Sequence, residues 1–222
     1  MGQERTEAIV IRGVDFSETS RIVTFLTPDR GKMACMATGV RRPKSALVGL
    51  LDTFNRLELV YYWKDGRSVQ KLAEASLLHS FAGLKSNLEK GVYAAFPLEF
   101  AHKVAQENEP SHDLYGVLVR GLSHIETAPG APRTQVAWLL LQLLTVSGYE
   151  PDLSSTGAFD EESAGRIGAQ ALRTLQTLAA TTRECPIESD EPEAFEALRR
   201  YVIRHIESEF RSLRVIGQMF GR

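Results

Sequence analysis

The chain is poor in cysteine, with two in 222 residues, Cys35 and Cys185, far apart in sequence. So few exclude the disulfide framework that staples small secreted domains, and they leave no closed, cysteine-rich zinc site. A long apolar run is also missing. The longest, from Val136 to Leu144, is interrupted by Gln142 and is too short to span a bilayer. No secretory leader is legible in the first residues. Neither sign of charge dominates: 26 Lys/Arg stand against 28 Asp/Glu, net −2, so the whole-chain charge selects no polyanionic partner. The chain also lacks a nucleophile elbow, a phosphate-binding glycine loop and a His-Glu-x-x-His helix, and its five histidines are scattered. The expectation is therefore no catalytic residue, no metal site, no cofactor and no enzymatic activity.

What is present is uneven. Residues 1–80 hold 12 Lys/Arg against 9 Asp/Glu, and the remainder 14 against 19. From Arg30 to Leu51 there are five basic residues, Arg30, Lys32, Arg41, Arg42 and Lys44, and no acidic one. Screening limits the reach of distant charge to ~8–10 Å, so such a patch can hold phosphate even on an acidic protein.

The hydrophobic pattern changes period once. Thr6–Arg12, Arg21–Thr27, Lys32–Thr38, Asn55–Trp63 and Ser68–Leu78 read as five strands. Pro28-Asp29-Arg30-Gly31 and Lys64-Asp65-Gly66-Arg67 read as the tight turns of two hairpins. Five strands in about 75 residues suggest a small barrel, which hides its edges by closing. From about residue 84 the spacing becomes helical. One helix carries Leu88 to Phe100 and another follows Ser111. An almost wholly apolar helix over Val136–Val146 stops at Gly148. A fourth helix opens at Asp160 and runs through Ile167 to Leu178, and a last long one is capped by Asp190 with Glu193. The fold class is thus α+β, with a barrel domain over 1–80 and an all-helical domain over 81–222.

Three groups of residues carry a family resemblance. The first runs from Glu7-Ala8-Ile9-Val10-Ile11 through Ser17-Glu18-Thr19-Ser20-Arg21-Ile22-Val23 and Phe25-Leu26-Thr27. It continues with Gly31-Lys32 to Ala37-Thr38-Gly39-Val40-Arg41-Arg42-Pro43-Lys44-Ser45. The second is Gly148-Tyr149-Glu150-Pro151-Asp152-Leu153, and the third Glu209-Phe210-Arg211-Ser212. Together they resemble the RecO family of DNA repair and recombination mediators. The resemblance implies an OB-fold followed by a helical domain, binding to single- and double-stranded DNA, and annealing of complementary strands. It also implies partnership with RecR and with the single-strand-binding protein (SSB), loading of RecA, and a cytoplasmic, nucleoid-associated place in a bacterium without membrane contact. Many members carry a four-cysteine zinc module after the second motif. Here Ser154 to Asp160 holds no cysteine, Phe159 to Gly165 looks like a shortened remnant, and no structural zinc is expected.

Candidate DNA contacts follow. Gly39 to Ser45 reads as a loop offering Arg41, Arg42 and Lys44 to phosphate oxygens, and Lys32, Arg12, Arg21 and Arg67 can extend the patch. Among the aromatics, Tyr61 and Trp63 share a face with Leu57 and Leu59 and are assigned to the core. Tyr62, pointing the other way, is the candidate for stacking on a base; Phe16 and Phe54 are further aromatics that could do so. Arg133 is the candidate for the acidic tail of SSB. Arg199, Arg200, Arg204 and Arg211 form a possible second DNA or partner surface, or a polar helix face paired with Glu196, Glu207 and Glu209. The Glu99-x-x-His102 and Glu109-x-x-His112 spacings read as coincidences. A protein-interaction adaptor and a metal hydrolase are the competing classes.

Overall fold

The computed structural model describes residues 2–42, 45–154 and 167–221. Lys44, Asp160 and the 159–165 stretch lie outside them. Five strands come first: β1 (Gly2–Asp15), β2 (Arg21–Thr27), β3 (Gly31–Ala37), β4 (Arg56–Trp63) and β5 (Val69–His79). Seven helices follow: α1 (Ala82–Ser86), α2 (Leu88–Val104), α3 (His112–Thr127), α4 (Pro132–Val146), α5 (Ala169–Ala179), α6 (Pro192–Ile206) and α7 (Arg211–Phe220).

The chain divides into two compact units. The first takes the residues up to Phe81 together with Ala105–Gly116; the second takes Ala82–Val104 and everything from Val117 onward. The sequence reading places 105–116 with the helices, because helical period is visible on either side of it. In the structure its backbone is bound to the first unit: the Lys32 N–H donates to the Gln106 carbonyl at 2.9 Å, and the Ser111 N–H to that of Pro28 at 2.8 Å.

In the first unit the strands close into a barrel in the order β1-β2-β3-β5-β4. All pairings are antiparallel except β3 with β5, which run parallel over Ala34–Met36 and Val69–Lys71. The inward positions are apolar at every second residue: Val23 and Phe25 on β2, Met33, Cys35 and Ala37 on β3, Leu57, Leu59 and Tyr61 on β4. Tyr61 is buried and Trp63 packs against this core, as their alternation predicts. The tight turns also form where expected, with Gly31 at φ +54° and Gly66 at φ +72°. An added Cβ on Gly31 would lie 2.6 Å from the Gln106 carbonyl oxygen and closer still to that of Glu109. Glycine there lets 105–116 lie directly on the barrel backbone.

In the second unit α4 is buried on nearly every side, and packs against α2, α5 and α6. One expectation is corrected. Asp190 with Glu193 does not cap α6. The helix starts at Pro192, whose fixed φ suits the first helical position, and Asp190 is instead bound to Arg133. The last long helix ends after Ile206, where its spacing stops, because Glu207 takes φ +47°, and a further helix, absent from the sequence reading, follows it. The next helix, α7, is capped from elsewhere: Glu99 accepts the Arg211 N–H at 3.0 Å, the Ser212 N–H at 2.9 Å and the Ser212 hydroxyl at 2.8 Å. Glu99 of the Glu99-x-x-His102 spacing therefore holds a helix end. Among the described residues no group of three or more His, Cys, Asp or Glu is placed to hold a metal ion.

Candidate nucleic-acid interface

The barrel turns alternate residues outward, and its register lines them up. Val14 on β1 stands opposite Ile22 on β2, Ile22 opposite Met36 on β3, Met36 opposite Lys71 on β5, and Lys71 opposite Tyr62 on β4. One residue from each strand thus forms a row across the outer wall, between inward residues such as Val23, Cys35, Leu72 and Tyr61. With strands ~4.8 Å apart the row follows an arc of about 19 Å around the barrel wall. Its members are half-buried or exposed, and apolar or aromatic but for Lys71, whose Nζ lies 5.8 Å from the centre of the Tyr62 ring.

Arg12 flanks this row. Strict alternation from Ala8 and Val10 would turn it inward. A bulge in β1 between Val10 and Arg12 inserts Ile11, so that Arg12 pairs with outward-facing Thr24 and is exposed.

At one end of the barrel the β1–β2 hairpin meets the loop after β3. The Arg41 N–H donates to the Thr19 carbonyl at 3.2 Å, and Arg41 Nη1 to that of Ser17 at 3.4 Å. Both oxygens of Asp15 are taken up by arginines: Oδ1 lies 3.1 Å from Arg21 Nε, and Oδ2 lies 3.5 Å from Arg41 Nη1. This trio keeps a net charge of +1. Arg42 is exposed and has no carboxylate partner among the described residues. Phe16, at the hairpin tip, is 64% exposed.

The basic run from Arg30 to Leu51 is not one patch. Its described members lie at both ends of β3, a strand ~20 Å long. Arg30 sits at the β2–β3 turn, 2.9 Å from Glu4 and 4.2 Å from the centre of the Trp63 ring, and Glu4 also accepts the Tyr61 hydroxyl at 2.9 Å. Hydrogen bonding to Glu4 raises the Arg30 pKa, and burial pushes the Tyr61 pKa up to about 12. Arg30 is thus committed within the barrel. Lys32 lies at the same end, where its backbone bridges to Glu107, and Arg67 is exposed in the β4–β5 turn. Of the sequence candidates, the fold brings together Arg21, Arg41 and Arg42, sets Tyr62 in the outward row with Arg12 flanking it, and leaves Lys32 and Arg67 apart. Val14, Ile22, Met36 and Lys71 were missed. Their only signal is outward parity on strands whose register one sequence does not reveal.

In the second unit Arg133 is bound to Asp190, with Nε 3.0 Å from Oδ1. Arg199 is bound to Glu196 at 2.7 Å. Arg200, Arg204 and Arg211 are exposed, and Glu209 pairs with Arg214 rather than with any of them. No helix of the described residues is long and apolar enough to cross a membrane.

Comparison with known proteins agrees with both halves. The family model for the recombination protein O N-terminal region matches residues 1–81, and that for its C-terminal region matches residues 85–170. Curated relatives named DNA repair protein RecO align over about two thirds of the chain. That of Salinibacter ruber is 32% identical over 152 residues, 68% of this chain and 58% of the relative. That of Shouchella clausii is 28% identical over 151 residues, 68% and 57%. That of Acetivibrio thermocellus is 30% identical over 155 residues, 70% and 61%. The chain therefore spans less than two thirds of the length of these relatives. With a five-stranded unit and a helical unit each matched in order, the chain belongs to the RecO family of DNA repair proteins.

Proposed function

We propose that this chain is a non-enzymatic DNA-binding mediator whose OB-type barrel holds single-stranded DNA along the outward row, and that it also binds duplex DNA. The observation that carries the reading is the register itself, which aligns Val14, Ile22, Met36, Lys71 and Tyr62 between Arg12 and the Arg41–Arg42 loop. Apolar and aromatic side chains offer stacking surface to any base, and the flanking cations neutralise phosphate. A row of about 19 Å suits roughly four nucleotides, the small end of the range for such barrels. Annealing then needs no catalytic group. Base pairing supplies the driving force, and the protein lowers the repulsion between two backbones. In this reading the chain works with RecR to load RecA onto DNA coated with SSB. In the same reading the acidic tail competes with Asp190, which lies 3.0 Å from Arg133, for that arginine.

The test is annealing of complementary oligonucleotides coated with SSB, with the wild type and with an Arg41→Ala, Arg42→Ala, Lys44→Ala variant. The wild type accelerates annealing and the variant loses most of that effect. A wild type that shifts no single-stranded oligonucleotide even at low salt makes the barrel a protein-docking module instead.

A further inference from the structure

We infer that the tip of the β1–β2 hairpin is a subsite for one unpaired nucleotide, which the protein's own Asp15 carboxylate occupies when DNA is absent. The inference rests on the reading of the barrel as a binder of single strands and adds a site beyond the outward row. Two guanidiniums, from Arg21 and Arg41, converge on the two oxygens of Asp15 at 3.1 and 3.5 Å. A pair of arginines around two oxygens of one anion is also how a phosphodiester is held. The next residue, Phe16, is 64% exposed, and its backbone N–H is tied to the Ser20 carbonyl at 2.9 Å. The ring therefore stands on a closed loop and not on a free end. An exposed phenyl one residue from an anion site matches the layout of a nucleotide, with a flat base a few bonds from its phosphate. The base stacks on Phe16, and the phosphate takes the place of Asp15 between the arginines.

Asp15 is 56% exposed, so it can swing into solvent when displaced. Its role is to hold the arginines in position and keep the site from binding anions indiscriminately. A phosphate must outcompete it, which lowers affinity and sharpens the dependence on a simultaneous stacking contact. The subsite thus favours a base that is free to leave its stack over one paired inside a duplex.

Binding of a fluorescein-labelled oligo(dT) to the full chain, measured across salt concentrations, tests this with three variants. Asp15→Asn frees one net charge, so the slope of log affinity on log salt steepens by about 0.7, and the gain in affinity on going from 200 to 50 mM salt grows by about threefold. Phe16→Ala weakens binding on the order of tenfold with the slope unchanged, because stacking releases no counterion. Phe16→Trp restores it. Asp15→Asn that binds no tighter while melting at the wild-type temperature overturns the inference, as does Phe16→Ala that binds like the wild type. The Phe16 arm stands even if Asp15→Asn loosens the hairpin, because that change leaves the Asp15 pairing in place. If the wild type itself does not bind oligo(dT), the mediator reading fails rather than this subsite alone.

Discussion

Single-strand binding along the outward row, as proposed, predicts a measurable salt dependence. Exposed cations on this wall are Arg12, Arg42 and Lys71, and the Arg21–Arg41–Asp15 trio adds one net charge. About four phosphates are then neutralised, and for a single strand the slope of log affinity on log salt is about −3, at roughly 0.7 per phosphate. A fourfold rise from 50 to 200 mM salt then costs the wild type about 50-fold in affinity. Replacing Arg12, Arg42 and Lys71 together with alanine leaves one net charge, a slope near −0.7, and a loss of only about threefold over the same range. These side chains lie on the outer wall, so the melting temperature should stay close to that of the wild type. Fluorescence anisotropy with a labelled oligo(dT) at five salt concentrations measures both slopes. A triple variant with the wild-type slope would refute the reasoning, because it would put the phosphates on some other surface.

Three further outcomes follow from contacts inside each unit. Gly31→Ala sets a Cβ against the Gln106 and Glu109 carbonyls in a left-handed conformation. It should cost about 3 kcal/mol and lower the melting temperature by at least ~10 °C; a change within the error of calorimetry would mean that 105–116 yields freely. Glu99→Ala strips three hydrogen bonds from the start of α7. It should cost about 2 kcal/mol and speed amide exchange over Ser212–Ile216 by roughly 30-fold, with unaltered exchange arguing against the cap. The His124 pKa is lowered, first by burial, where its ring lies 5.1 Å from that of Trp138. The folded state then takes up the proton less readily than the unfolded one. Stability from this residue is complete above the unfolded value of 6.5 and declines as pH falls through the folded value. Urea midpoints should drop across that window in the wild type and drop less in His124→Phe; equal drops would remove His124 as the cause.

Much of the barrel was legible because its information is local. The Pro28–Gly31 and Asp65–Gly66 turns name their own conformations, and period-two burial on β3 follows the residues one by one. The apolar helix α4 and its stop at Gly148, φ +76°, were legible for the same reason. What escaped was relational. Arg12 faces out only because Ile11 is a bulge, and a bulge is defined against the partner strand. Arg30 looked like part of a basic loop, yet Glu4 and Trp63, distant in sequence, hold it. Asp190 looked like a cap until Arg133 took it. Lys71 belongs beside Met36 only through the parallel pairing, which no local pattern announces. The lone charges were readable as charges; whether each was spent on a neighbour or left for a ligand was decided by tertiary structure.

The parallel seam between β3 and β5 is three residues long, yet it alone brings Met36 beside Lys71. With that seam parted, the five-residue track is cut into a three-residue piece and a two-residue piece. A DNA strand bound along the whole track, as proposed, would therefore grip only the sealed form and bias the barrel toward staying sealed. Closure and occupancy become two faces of one equilibrium, with the shortest ladder in the sheet as the place where each is felt by the other.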